Sequence, residues 1–560
     1  YIACLLSLAV VSGCDSILDK GPLDSFTNDN FWTGEGNISG YANAFYEQFL
    51  GYGNGNGYGD FYFKTLSDDQ AGMSFAKWTY PDNAPSTSAT WKNGWIEVRR
   101  ANIMLENVPT VASLDEATKN HWLGVARLMR AWQYYHLVRM YGNLPWIDKA
   151  LNINDEGEIY GNREDRDMVM DKVLEDLDFA VTNIKDISSK TTWSRSLANA
   201  MKAEVCLYEG TFRKYRKNED GQQAPDATGA ARYLTACKEA CLAVMSKGYK
   251  LNTSYQGNYN STDLSSNPEM ILYKAYKEGL LMHSTIDYTC SSTQISGMSK
   301  NAFESYLFKD GKPMALTSLN KSDEAPFQYG HLSLKDILAV RDKRLAQTID
   351  TVLLYNGRGF TRFNTGMEST SSTGYGVAKY DNETIPEGFR SQSGKNYTHA
   401  PLFWLSVIYL NYAEACAELG NITQDDLDKS INLLKDRAGL PHLNPIVGFS
   451  DPANNHGVSD LIWEIRRERR CELMFDNDNR YWDLIRWHQL DKLDTTKYPD
   501  IILGANVAND MDGCEANKVG KYIDGSKDGS RIYDKKHYLY PIPTGQIALN
   551  PQLAPNNPGW

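Results

Sequence analysis

Apolar residues recur at helical spacing over most of this chain. Within 113–141, Trp122, Val125, Met129, Trp132 and His136 fall on one stripe, and Gly142-Asn143-Leu144-Pro145 ends the run. The same period predicts helices over 37–50 (with Tyr41, Phe45 and Phe49 on one face), 91–108, 166–184, 194–212, 230–247, 402–419 and 423–438. His136, on an apolar stripe, reads as a core histidine rather than a ligand. Between residues 249 and 397 the period is lost, and Gly, Ser, Thr, Tyr and Asn dominate around short strand-like pieces such as 270–276. The end, 538–560, is too rich in Pro for a helix and is expected to pack as extended chain. The glycine run at 51–59 follows a helix and fits neither phosphate-loop pattern, so it reads as a flexible connection.

Helical hairpins recurring at roughly thirty to forty residues are similar to tetratricopeptide-type repeats. The expected fold is therefore mostly α, with tetratricopeptide-like hairpins, a large irregular loop-rich portion and few short strands. One domain is expected over 28–560. Its helical scaffold spans 28–248 and 400–490, its loop-rich insert 249–399, and its Pro-rich tail 491–560. Long irregular insertions in a helical protein are where binding residues concentrate.

Residues 461–490 have an unusual charge pattern. Arg466, Arg467, Glu468, Arg469, Arg470 and Glu472 crowd into little more than one helical turn and a half, Glu464, Glu468 and Glu472 stack at i, i+4, i+8, and Arg466 stacks on Arg470. Like charges at that spacing disfavour an isolated helix. Opposite charges at i, i+3 are limited to Glu464 with Arg467 and Arg469 with Glu472. The helix is built to exchange charges with neighbouring elements, either as a clamp within a helical domain or as a basic groove for an anion. Asp476-Asn477-Asp478-Asn479 interrupts it before Tyr481, Trp482, Ile485 and Trp487, and Arg480 in the fifth position rules out an EF-hand loop.

Composition narrows the function. A net charge of −12 argues against nucleic acid as partner, while 34 Tyr and 13 Trp suit a neutral ligand. The first thirteen residues have the apolar run of a partial signal peptide, and Val11-Ser12-Gly13-Cys14 resembles a bacterial lipobox, with Cys14 the lipidated residue and 14–27 a tether to the membrane. Seven further cysteines lie mostly in helical stretches, an odd number that forms no disulfide framework. Cys237 and Cys241 have no His partner nearby, so no metal site is expected.

Together with the lipobox, several motifs resemble the SusD/RagB family of Bacteroidetes surface nutrient-binding lipoproteins. They are WKNGWIEVRRANIMLEN at 91–107, RLMRAWQYYHLVRMYGNLP at 127–145, RDKRLAQTI at 341–349, LNYAEACAELG at 410–420, INLLKDRAGLP at 431–441, the Arg-Glu-Arg-Arg to Arg-Trp stretch and the closing YLYPIPTGQIALNPQLAPNNPGW. They span nearly the whole chain in the family's order. One departure is the longer 476–479 turn, where the family has an acidic-Gly turn after the Phe. The resemblance implies a lipid-anchored outer-membrane, cell-surface protein that binds oligosaccharide or polysaccharide, does no chemistry, needs no cofactor, and delivers its ligand to a SusC-like TonB-dependent transporter. A calcium ion held by the loops would leave no mark in the sequence.

A neutral sugar is held by aromatic platforms edged with polar side chains. The candidates are Asp68, Asp69, Trp78 and Trp91, with Asn93 and Trp95 just inside the following helix, and Tyr288 with Gln294 in the loop-rich part. Trp122, Trp132, Trp482 and Trp487 are assigned to the core. Two alternatives remain open: a peptide-binding protein on the same scaffold, and a glycoside hydrolase using two carboxylates. No GxSxG, HExxH or metal-spaced His pair is present.

Overall fold

A computed structural model describes residues 31–61, 67–72, 81–218, 223–291, 296–319, 334–353, 360–362, 367–369, 371–476, 479–507, 518–526 and 529–560. Cys14, the tether, Trp78 and Gln294 lie outside the described residues.

Long helices dominate the first half: α1 (Glu35–Asn43), α2 (Ala89–Asn107), α3 (Glu116–Tyr141), α4 (Arg166–Asn183), α5 (Arg195–Tyr215) and α6 (Ala227–Met245). Polar caps set their starts. The side chains of Ser88, Asp115, Asp165, Ser194 and Asp226 accept from backbone N–H groups of the first turns of α2 to α6. Successive helices pack on one another, α2 on α3, α3 on α4, α4 on α5 and α5 on α6. At Gly210, a Cβ would lie 2.8 Å from Leu234 Cγ, so the absent side chain lets α5 and α6 approach closely. Trp122, Trp132, Trp482 and Trp487 are all buried, as their spacing implies.

The second half returns to this core. Strand β2 (Met270–Lys274) pairs antiparallel with β4 (Ala400–Trp404), which runs directly into α8 (Leu405–Glu418). The helical spacing read from 402 therefore begins three residues early, because apolar side chains continue without a break from strand into helix. The stretch read as one helix over 423–438 is two, α9 (Gln424–Asp428) and α10 (Ile431–Ala438). Next come α11 (Asp460–Glu472) and α12 (Asn479–Arg486), with α11 packed on α8 and α12 on α5.

The tail differs from the expectation of extended chain. Residues Thr544–Leu549 form a short helix and Pro551–Leu553 a 3-10 turn. The reason is placement: Pro543 is the N-cap residue and Pro551 opens its turn, where a missing N–H leaves no hydrogen bond unmade. Further up the tail, strands Leu503–Asn506, Lys518–Val519 and Tyr522–Asp524 make a small antiparallel sheet.

The charges of α11 turn outward to other elements, as their stacking predicts. Arg466 meets Glu418 of α8 at 3.0 Å and lies between the rings of Tyr215 and Trp487. Arg469 bonds Asp483 of α12 at 2.8 Å, passing over Glu472, while Glu464 and Arg467 do pair along the helix. Glu468 and Glu472 both take Arg344, and Arg437 bridges Glu472 to Glu269. Arg486 forks onto Glu414 at 2.6 and 2.8 Å, and the Trp487 indole donates to the same carboxylate. The clamp reading of this stretch describes these contacts; each arginine of α11 has a carboxylate partner.

Candidate ligand-binding site

The short strand β1 (Gln70–Gly72) follows directly on Asp68 and Asp69. It pairs antiparallel with β3 (Ser296–Met298), in the register Gln70↔Met298, Ala71↔Gly297, Gly72↔Ser296. Segments more than 200 residues apart in sequence thus form one ladder. Ser299 fastens its base, its N–H donating to Asp69 O and its hydroxyl to Asp68 O. Ser372 donates to Ala71 O and Met298 N–H to Tyr375 O, so residues 371–375 back the ladder.

Asp68 and Asp69 are buried beneath this ladder, at 1% and 3% exposure. Arg480 forks onto Asp68 at 2.7 and 2.6 Å, and Arg470 reaches Asp69 at 2.8 Å and Asp68 at 3.2 Å. Burial raises the Asp68 carboxyl, but Arg470 and Arg480 outweigh it and hold the group well below the usual carboxylate range. Asp69 is shifted upward by burial, with the Asp68 charge adding to it and Arg470 offsetting part. These carboxylates point into α11 and α12, where guanidinium groups pair with them and so tie the ladder to the helical hairpin.

Trp91 is 5% exposed and packs edge-on against Trp95 and Tyr141, so its ring belongs to the α2–α3 core. Trp95 is half-buried against Tyr134, and Asn93 is exposed on the solvent side of α2. The first predicted cluster therefore divides between the ion-pair network and the helical core.

Tyr288 has a different setting. It sits half-buried on the short helix α7 (Thr285–Cys290), its hydroxyl donating to Asn56 O at 3.2 Å and its ring edge-on to Tyr58, centroids 5.3 Å apart. Tyr58 is 57% exposed. Among the described residues, Tyr160 is the other aromatic side chain standing well out of the surface, and it has no ring partner there. Sequence reasoning missed Tyr58. Its signal is a tyrosine between two glycines, where no neighbouring side chain can cover the ring.

The glycine run that carries Tyr58 is a closed loop rather than a flexible connection. A Cβ on Gly53 would come 2.2 Å from Gly57 O, and one on Gly59 2.1 Å from Gly51 O, so the strands of the loop touch through their backbones. Asp60 accepts from the N–H groups of Leu50 and Gly51, Gly55 N–H donates to Met282 O, and Ser284 donates to Gly55 O. Tyr276 donates its hydroxyl to Gly53 O at 2.9 Å.

A second layer fixes α7. Asn396 Oδ1 accepts from the N–H groups of Ile286 and Asp287, and buried Asp287 accepts from Ser291 and Ser393. His283, wholly buried, accepts at Nδ1 from Thr285 N–H and donates from Nε2 to Thr398 O. That pattern assigns the neutral tautomer, and burial pushes its pKa down to about 3. The result is a rigid polar platform presenting two tyrosines at its rim.

Among the described residues no group of three His, Cys, Asp or Glu side chains could hold a metal ion, and no helix is long and apolar enough to cross a membrane. The six described cysteines are buried.

The profile of the SusD family matches residues 243–560, more than half of the chain. The chain belongs to the SusD family. A second SusD-like family model, described as starch-binding and associating with the outer membrane, matches residues 27–207. A SusD-like protein of Formosa agariphila is 24% identical over 496 residues, covering 86% of this chain and 90% of that protein. Among solved structures, a SusD-like carbohydrate-binding protein of Bacteroides fragilis superposes with a TM-score of 0.70 at 20% identity, over 94% of this chain and 100% of the other. A laminarin-binding SusD-like protein gives 0.54 at 19% identity, over 94% and 100%. At such identities these structural likenesses establish the SusD fold, mostly helical with few short strands.

Proposed function

We propose that this SusD-family protein captures oligosaccharides or polysaccharides at the cell surface, anchored through Cys14, and passes them to a SusC-like TonB-dependent transporter without altering them. The observation that carries the reading is the Tyr58–Tyr288 pair, two aromatic rings held at the rim of a hydrogen-bonded platform. A sugar's C–H face packs on such rings while its hydroxyls meet the surrounding amides and hydroxyls. Rigidity of the platform keeps the entropic cost of binding low. Family membership and the carbohydrate-binding descriptions of structural neighbours agree with a glycan ligand.

A glycan array on the soluble domain tests this reading, followed by product analysis on whatever binds. Retention of an oligosaccharide with no shortening or rearrangement is expected. Binding to peptides but to no glycan would move the assignment to peptide capture, and cleavage of the bound glycan would make the protein an enzyme. Cys14→Ala is expected to release the full chain from membranes; continued attachment would contradict the anchor.

A further inference from the structure

The outer side of α11 borders a cavity of about 540 Å³, closed by the loop at 451–455, the short helix Lys300–Ser305 and the 3-10 turn Leu490–Leu493. Its size is that of a small-molecule site. Trp463, Trp487 and Tyr498 give it aromatic walls. The Trp463 indole is fixed by donating to Asp451 at 3.2 Å, and Tyr498 accepts from Asn455 at 3.1 Å.

Most of the charged groups around it have a polar partner on the protein. Arg466 has Glu418, Arg467 has Glu464 and Asp451, Arg470 and Arg480 share Asp68, Glu304 has Lys300, and Asp500 accepts from Asn301. Lys492 alone among these charged groups has no ion pair or hydrogen bond to its ammonium among the described residues; it hangs 4.6 Å over the Trp463 ring. Beside it Gln489 is 4% exposed, and its side-chain amide, also lining the cavity, has no hydrogen-bond partner among the described residues. The Gln489 amide and the Lys492 ammonium thus line one cavity with hydrogen-bonding capacity that the described residues do not use, open to a ligand's polar atoms. Burial and the nearby Arg480, Arg470 and Arg466 push the Lys492 ammonium down to about 7, with Asp68 opposing them, so a bound anion would relieve an unfavourable charge.

We propose that this cavity is a second binding site, taking a singly charged carboxylate sugar whose carboxylate pairs with Lys492 and whose ring lies against Trp463. Among the described residues Lys492 is the one lining cation without a carboxylate, so a ligand with a single carboxylate supplies the partner this ammonium lacks. Gln489 supplies the in-plane donor and acceptor that a sugar hydroxyl needs. The choice of a sugar rests on the glycan-binding reading above; the anion pairing rests on the cavity alone.

Titration calorimetry of the soluble domain with glucuronate and glucose tests the proposal, on wild type, Lys492→Gln, Lys492→Arg and Tyr288→Ala. Glucuronate is expected to bind wild type and Tyr288→Ala alike, to bind Lys492→Arg measurably, and to bind Lys492→Gln at least tenfold more weakly; glucose should not displace it. Lys492→Gln breaks no ion pair and loses only the cation–π contact with Trp463, so its melting temperature should stay within a few degrees of wild type, which separates lost binding from lost fold. Equal glucuronate affinity in Lys492→Gln, or none in wild type, overturns the site. Failure of wild type to bind any neutral oligosaccharide would instead overturn the glycan reading and leave the Lys492 result standing.

Discussion

Arg470 Nε donates to Asp69 Oδ1 at 2.8 Å, joining segments 401 residues apart in sequence. Through that bond and the Arg480 fork on Asp68, the α11–α12 hairpin holds the β1–β3 ladder. Arg470→Ala leaves two buried carboxylates short of a guanidinium. Removing one partner of a buried pair costs about 3–5 kcal/mol. Urea denaturation should show a loss of that order. A loss under about 1 kcal/mol, the range of an exposed pair, would mean that the contact is solvated and not structural.

Trp91→Ala is expected to act on stability rather than on the ligand. The ring is packed between Trp95 and Tyr141 at 5% exposure. Truncating a buried Trp costs about 3–5 kcal/mol. The melting temperature should fall while the folded protein keeps its glycan affinity. A variant that melts like wild type but binds weakly would restore Trp91 to the ligand surface.

Acid should destabilise the protein through its buried histidines. Burial holds His283 down to about 3 and His121 and His537 down to about 4, below the ordinary 6.5. The unfolded chain therefore binds more protons than the folded one between those values. The stability this supplies is complete above about pH 6.5 and is lost as pH falls toward 3, by at most about 1.4 kcal/mol per unit for each ring. In His283→Gln, the amide can accept from Thr285 N–H and donate to Thr398 O without titrating. Urea midpoints measured from pH 7 to 4 should fall less steeply in that variant. An unchanged slope would show that His283 does not stay neutral.

Much of the fold was legible in the chain, and the site much less so. The Trp122–Trp132 stripe and the Gly142 stop are local signals, and the helix follows them closely. The stacked Glu and Arg residues of α11 announced tertiary partners because they could not satisfy one another. What spacing could not supply was which partner: Asp68 and Asp69 read as ligand-binding candidates, and only the fold brings Arg470 and Arg480 to them from the far end of the chain. Gln489 and Lys492 carry no motif; only folding shows that, among the described residues, neither the Gln489 amide nor the Lys492 ammonium has a hydrogen-bond partner. Tyr58 was hidden because a glycine run reads as slack, whereas backbone crossings at Gly53 and Gly59 make it rigid.

That rigidity is itself testable. Gly53 has φ +91 and no room for a Cβ, so Gly53→Ala must reopen the loop that carries Tyr58. Glycan affinity should drop while circular dichroism keeps its helical signal, since the long helices α2 to α6 are not part of the loop. Retained affinity would separate the loop from binding.

Glycan capture at this rim depends on the two tyrosines. Calorimetry of neutral-oligosaccharide binding to Tyr58→Ala and Tyr288→Ala, each with its melting temperature, tests it most directly. Loss of one ring should weaken binding about tenfold, about 1.4 kcal/mol, in proteins that melt within a few degrees of wild type. Wild-type affinity in both variants would contradict the site and send the search for the glycan surface elsewhere on the molecule.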